Sequence, residues 1–270
     1  MRINICIKRQ NYAKCINVVD YMHKNRYINY TNRGKGIKNK PQKERKEEKN
    51  MNTYAIKPII TGYTNTSKGN YLYHHPGSYQ PEGAAIYEQL EKLGMKCEDI
   101  DTIIFTHPHW DHVYYLDRFT NAKLYVQKAE YEFAVNPIPL YYKSYEYPVL
   151  GLTPQFDGKE FVLLEGECEV MDGISVYPST GHSVGHQTVT VNTKEGVYHC
   201  CGDLIFTYDN LKEVPQMHYD ITPPGRFLNI VDSWNSIAEL KKRITSIDKV
   251  LATHAHEMIE LVESGKVIGE

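Results

Sequence analysis

From residue 51 onward the chain alternates short apolar runs with clusters of Gly, Pro and Asn. YAIKPII (54–60) and YLYHH (71–75) read as strands, and AAIYEQLEKLGM (84–95) reads as a helix with Ile86, Leu90 and Leu93 on one face. DTIIF (101–105) and KLYV (123–126) are further strands, followed by a short helix in QKAEYEFAV (127–135). Beyond these, FVLL (161–164), ISVYP (174–178), QTVTVN (187–192) and VYHCC (197–201) are strand-like. SWNSIAELKKRI (233–244) aligns Trp234, Ile237 and Ile244 along a helical stripe, and DKVLAT (248–253) closes the pattern as a strand. Strands in succession with helices between them predict a layered body of α/β or α+β type over residues 51–270.

The first 50 residues break this pattern. Lys and Arg outnumber Asp and Glu there by 14 to 4, whereas the remainder holds 17 basic against 29 acidic residues. Residues 33–50, RGKGIKNKPQKERKEEKN, have almost no large apolar side chains, so they cannot bury enough surface to offset the entropy of ordering and are expected to be disordered. NYAKCINVVDYMHKNRYINY (11–30) could form a marginal helix, but its apolar positions are too few to decide. Residues 1–50 therefore read as a basic extension; a solvated tail is the preferred reading over an arm for nucleic acid or an anionic membrane surface.

An acidic body does not suit tracking of a phosphate backbone, so no nucleic-acid partner is expected for the core. No apolar run reaches the length of a membrane span, and MRINICIKRQ lacks the apolar segment and cleavage site of a leader, which predicts a cytoplasmic protein. The six cysteines, at 6, 15, 97, 168, 200 and 201, form no CxxC pair and read as buried free thiols.

Four segments bring reactive side chains to strand ends, where rigid scaffolds present functional groups. FTHPHWDH (105–112) follows DTIIF, His182 in STGHSVGHQ follows ISVYP, Asp203 follows VYHCC, and His254 follows DKVLA. His107 and His109, two apart on an extended loop, can point the same way, while Asp111 and His112 reach a second point a few ångströms off. Burying three histidines and an aspartate without a cation would leave polar groups unsatisfied, and imidazole with carboxylate suits zinc and its first-row neighbours. With His182, Asp203 and His254 the set is large enough for two metals, which Asp203 could bridge. Strand-end register favours His254 over His256, and His186 reads as a brace for its own turn.

THPHWDH (106–112) resembles the HxHxDH motif of the metallo-β-lactamase superfamily, and TGHSVGH (180–186), the GD at 202–203 and the late His254 follow in that family's order. The resemblance covers about Met51 to the last residue. It implies an α+β fold, the αββα sandwich of two packed mixed β-sheets flanked by helices, with the site at one edge of the sheets. It also implies that His107, His109 and His182 hold one metal, that Asp111, His112 and His254 hold the other, and that Asp203 lies between them. The implied cofactors are two divalent ions, zinc or, depending on supply, iron or manganese.

Within the superfamily, the β-lactamases generally carry a cysteine where Asp203 stands and lack the full DH pair. Flavodiiron members have glutamate in place of His109, and nuclease members carry added domains or RNA-binding arms. Hydrolysis of a small-molecule lactone, ester or thioester remains. The stretches 109–134, 180–191, 202–211 and 233–257 are similar to the N-acyl homoserine lactonase group, which implies ring opening by a metal-bridging hydroxide. The alternative is a thioester or general carboxylic ester hydrolase of the glyoxalase kind. Tyr114 and Tyr115 replace small residues of that group, Ala255 replaces an acid, and Phe206 stands where the group has a tyrosine that contacts the substrate carbonyl. Tyr208, on the same face if the segment is extended, is the candidate substitute. Asp111 and Tyr208 are thus the catalytic candidates, for proton transfer and carbonyl polarisation, and Phe206, Tyr114 and Tyr115 the substrate contacts. The tyrosine-dense stretch NPIPLYYKSYEYPVLGLTPQF (136–156) reads either as an apolar wall over the site or as a loop packing its own rings on the body.

Overall fold

The computed structural model describes residues 2–9, 15–18, 52–65, 77–79 and 82–270. Four strands open the chain: β1 (Arg2–Arg9), β2 (Cys15–Val18), β3 (Tyr54–Asn65) and β4 (Gly77–Tyr79). After them come α1 (Ile86–Lys92), β5 (Thr102–Ile104), β6 (Lys123–Gln127), α2 (Lys128–Val135) and β7 (Phe161–Leu164). The second half holds β8 (Cys168–Met171), β9 (Ile174–Pro178), β10 (Gln187–Thr193), β11 (Gly196–Gly202), α3 (Ile230–Arg243), β12 (Val250–Ala252) and α4 (Met258–Glu263).

The strands form three ladders, in the orders β2-β1-β3-β4, β5-β6-β7 and β12-β11-β10-β9-β8. The first is antiparallel throughout and the second parallel throughout. In the third, only the β11–β12 pair is parallel. β2 comes close to β5, so the first two ladders meet at that edge. The α+β sandwich read from the sequence is therefore present.

Two expectations change. β1 pairs with β3 from Arg2 opposite Gly62 to Arg9 opposite Tyr54, and β2 continues that ladder, so the extension adds strands to the body instead of standing wholly apart. The segment left open as a possible marginal helix contains β2, where strand pairing satisfies a backbone whose few apolar side chains could not support an amphipathic helix. YLYHH and residues 33–50 lie outside the described residues.

Ile103, Phe105, Leu124 and Val126 belong to the same buried core as Val176, Val189, Val191, Cys200 and Leu251. Each such side chain contributes about 1.5–3 kcal/mol by leaving water. Cys200 and Cys201 are both buried, as core thiols. A polar seam joins the two layers. Gln187, fully buried, donates from Nε2 to the Phe105 carbonyl at 2.7 Å and from its backbone N–H to Thr106 O at 3.0 Å. Gln127 donates to the Gln187 side-chain oxygen at 2.9 Å. Phe105 and Thr106 directly precede His107, so the seam fixes the loop leaving β5.

α3 begins at Ile230, three residues before the stripe seen in the sequence. The Asn229 side chain accepts from Val231 N and Asp232 N and caps the helix one turn earlier. Its last turn carries Lys241, Lys242 and Arg243, which suit the negative end of the helix dipole.

Candidate metal centre

All seven expected ligands meet. The donor atoms of His107, His109 and His182 lie within 4.8 Å of one another, as do those of Asp111, His112 and His254, and those of His107, His112 and Asp203. Asp203 stands between the two triplets. Its Oδ2 is 3.4 Å from His182 Nε2 and 3.3 Å from His254 Nε2, and its Oδ1 is 3.3 Å from His112 Nε2. Asp111 Oδ2 is 3.4 Å from His254 Nε2. His256 instead points outward, 75% exposed, with Nδ1 at 3.3 Å from Glu257 Oε2.

The surroundings of the rings decide which nitrogen faces the centre. His182 Nδ1 is 3.3 Å from the Arg226 carbonyl and His107 Nδ1 is 3.2 Å from Thr106 Oγ1. A proton on each Nδ1 satisfies those acceptors and leaves the Nε2 lone pairs pointing inward, the arrangement in which histidines bind metals. His107 Nε2, His109 Nε2, both ring nitrogens of His112 and Asp203 Oδ1 are buried and make no hydrogen bond. His182 Nε2 and His109 Nδ1 face each other at 3.1 Å, so either His109 carries its proton there or two lone pairs oppose one another. Burial, then the neighbouring rings, holds His107 and His109 well below the ordinary imidazole range, which keeps them neutral. For Asp203, burial is outweighed by His254, His112 and His182, and its carboxyl stays well below the usual range. Burial likewise opposes charge on His254, but Asp203 and Asp111 prevail and push it up to about 10. The neutral rings of His107 and His109, the ionised Asp203 and the unsatisfied buried donor atoms fit divalent cations, and a cation would take the place of the proton that the two carboxylates hold on His254.

The turn carrying His182 depends on glycine. Gly181 has φ +125°, and a methyl group on it would overlap the Ser233 backbone of α3. The Gly181 carbonyl accepts from Leu228 N and Asn229 N, tying the turn to the start of that helix. His186 donates from Nδ1 to Ser179, whose carbonyl is at 3.0 Å, and its Nε2 accepts the Asp203 N–H at 3.3 Å. Its lone pair is thereby used in bracing the Asp203 loop. Burial foremost pushes it down to about 3, so it is neutral.

The substrate-side residues divide. Phe206 stacks on His254, with centroids 5.1 Å apart, and lies 5.9 Å from His182. Tyr114 sets its ring edge-on to Trp110 and donates its hydroxyl to Glu146 Oε1 at 3.0 Å. Tyr115, at φ +65°, packs edge-on against Tyr87 of α1 and is part of the core margin. Tyr208 corrects the expectation made for it. Its hydroxyl donates to the Val250 carbonyl at 2.7 Å and lies 3.2 Å from Met258 Sδ. The extended alternation that would have aimed it at the site does not exist, because Thr207 caps a helical turn over Tyr208–Leu211. The tyrosine-dense stretch takes both of its expected parts: Tyr141 and Tyr145 lie against His109, while Tyr142 and Tyr147 stack on each other.

Two acids escaped the sequence reading. Glu257 accepts from Thr207 Oγ1 and from Tyr208 N at 2.8 Å, pinning the Phe206 loop beside His254. Glu130, on α2, is completely buried. The only local sign was its place four residues before Ala134, on the buried face of that helix.

A strand-end cluster of this kind on an α+β sandwich defines a metal-site protein of the metallo-β-lactamase fold. The family model for the metallo-beta-lactamase superfamily matches residues 61–256, and the chain belongs to that superfamily. It is similar to an N-acyl homoserine lactonase of Bacillus cereus, 34% identical over 133 residues, covering 48% of this chain and 49% of the relative. It is also similar to the lactonase AttM of Azorhizobium caulinodans, 29% identical over 57% of each chain. The chain thus spans about half the length of the curated relatives it matches. Among solved structures, an N-acyl homoserine lactone hydrolase with N-hexanoyl-L-homoserine at its metal centre superposes with TM-score 0.55 and 18% identity over 96% of this chain and 95% of that one. A probable metal-dependent hydrolase from Staphylococcus aureus gives TM-score 0.53 and 21% identity over 76% and 75%. These likenesses establish the fold. Among the described residues, no helix is long and apolar enough to cross a membrane.

Proposed function

We propose that this chain is a metal-dependent hydrolase that opens a lactone ring of the N-acyl homoserine lactone type. The observation that carries the proposal is the convergence of seven imidazole and carboxylate donors, among which His107, His109, His112 and Asp203 keep buried atoms without a hydrogen-bond partner. Lactonase relatives matching half of the chain support this substrate class.

His107, His109 and His182 would hold one ion, Asp111, His112 and His254 the other, with Asp203 shared; zinc, iron and manganese all suit this donor set. When bound, such ions supply Lewis-acid polarisation of an acyl carbonyl and lower the pKa of water towards neutrality. The residues of the chain orient and exclude. Phe206 and Tyr141 give the acyl part an apolar border beside His254 and His109. Tyr114, three residues after Asp111 and held by its hydrogen bond to Glu146, is the proposed substrate contact from that loop. Asp111, ionised and only partly buried, is the candidate to take up the proton that the attacking water loses and pass it to the departing alkoxide.

The test is metal content per chain together with lactonase rate, for the wild type and for Asp203→Ala. The wild type is expected to hold two ions and to release a single hydroxy acid from an acyl homoserine lactone; Asp203→Ala is expected to lose at least one ion and at least about 100-fold in rate. Cleavage of S-lactoylglutathione in preference to every lactone tried would move the substrate class to thioesters. A fully metallated chain that cleaves neither would overturn the enzyme reading.

A further inference from the structure

The buried Glu130 carboxylate has been taken out of water, which is costly unless donors replace its hydration. Three do. The Tyr145 hydroxyl donates to Oε1 at 2.8 Å, and the Ser183 hydroxyl and Gly185 N–H both donate to Oε2 at 2.7 Å. These donors belong to two separate stretches, each in contact with an expected ligand. Ser183 directly follows His182, and Gly185 completes the same turn. Tyr145 comes from the tyrosine-dense stretch and sets its ring edge-on to His109, 4.8 Å between centroids. The turn and α2 are in such close contact that a methyl group on Gly185 would overlap the backbone nitrogen of Glu130.

We infer that Glu130 is a positioning residue: by gathering Tyr145 and the His182 turn onto one carboxylate, it fixes His109 and His182 at the spacing that a shared cation requires. The inference rests on the metal reading above and adds a residue that touches neither ion nor substrate. His182 Nε2 and His109 Nδ1 stand 3.1 Å apart, an approach that is favourable without a cation only when a proton lies between the two nitrogens. The hydrogen bonds to Glu130 hold both segments in place regardless, so less ordering remains to be done on binding. The two oxygens have different tasks, since Oε2 takes both donors from the histidine turn and Oε1 takes the tyrosine. Glutamine can reproduce this: its carbonyl oxygen accepts two hydrogen bonds, and its amide donates to a Tyr145 hydroxyl that has rotated. Alanine leaves the buried donors without an acceptor.

The experiment measures zinc affinity of the metal-free full chain by competition with a chromophoric chelator, with circular dichroism as the check on folding. Glu130→Ala is expected to weaken at least one zinc by about 10- to 100-fold, and Glu130→Gln to stay within about threefold of the wild type. A folded Glu130→Ala chain with wild-type affinity overturns the inference. Equal losses in the alanine and glutamine variants overturn it as well, because charge and not placement would then be at work. If Glu130→Ala does not fold, Tyr145→Phe and Ser183→Ala each remove one donor, with an expected loss of about 3- to 10-fold; unchanged affinity in both is again an overturning result. A wild-type chain that takes up no zinc overturns the metal reading itself, whereas two zinc ions in the wild type beside an unaffected Glu130→Ala chain overturn this inference alone.

Discussion

The Phe206 ring lies flat on the His254 imidazole, with 8° between the planes and 5.1 Å between the centroids. An apolar ring is therefore in van der Waals reach of a group that the resemblance assigns to the second metal. A hydrogen-bond donor aimed at a developing oxyanion is worth about 10²- to 10³-fold in kcat when its geometry is fixed. Phe206→Tyr adds a hydroxyl at the margin of the cluster without a shell built to hold it. Its expected effect is a rise of about 10-fold in kcat on a lactone with KM nearly unchanged. Steady-state kinetics decide; a fall in kcat would mean that the ring's apolar character is itself required.

Tyr208→Phe is expected to leave kcat within about twofold, because the hydroxyl is spent on the Val250 carbonyl and not on substrate. The cost should appear in stability, at about 0.5–1.5 kcal/mol for one lost hydrogen bond. Urea unfolding and lactone turnover on the same preparation check both halves; a large drop in turnover with intact stability would return Tyr208 to the site.

His199 sets a pH dependence that does not involve the cluster. It is buried beside Tyr177, whose hydroxyl is 3.3 Å from its Nδ1, and burial, then Arg243, pushes it down to about 4. In the unfolded chain it protonates near its ordinary 6.5. Between these values the unfolded state holds more protons, so stability is complete above pH 6.5 and falls as pH drops towards 4, by up to about 3 kcal/mol. His199→Gln should flatten that slope, read as the difference in unfolding free energy between wild type and variant at pH 7 and pH 4.5. Parallel curves would refute it.

How far the sequence could be read follows from the range of each interaction. His107, His109, Asp111 and His112 were legible because their spacing is local and their register on the loop after β5 needs no distant partner. Asp203 and His254 were legible as residues at the ends of apolar runs and through the order in which the motifs follow one another. Glu130 was not, since the groups that explain its burial come from Tyr145, 15 residues on, and Ser183, 53 residues on. Tyr208 was misread because a period-two argument holds only for extended chain, and the Thr207 cap turns the backbone one residue too early. β1 and β2 were missed for a related reason: a strand that completes its hydrogen bonds against β3 needs little apolar patterning of its own, and the basic composition around it masked what there was.

Asp203 and His254 leave the ends of β11 and β12, neighbours in a parallel ladder that places Cys200 opposite Leu251 and Gly202 opposite Ala252. Their separation in space is thus set by two adjacent strands and not by the fifty residues of chain that run between them. Chain between Phe206 and the segment 226–229 that holds the His182 turn can therefore change in length without altering the spacing of these two donors. Insertions there would alter what surrounds the cluster and leave the two strand-end side chains where the ladder puts them.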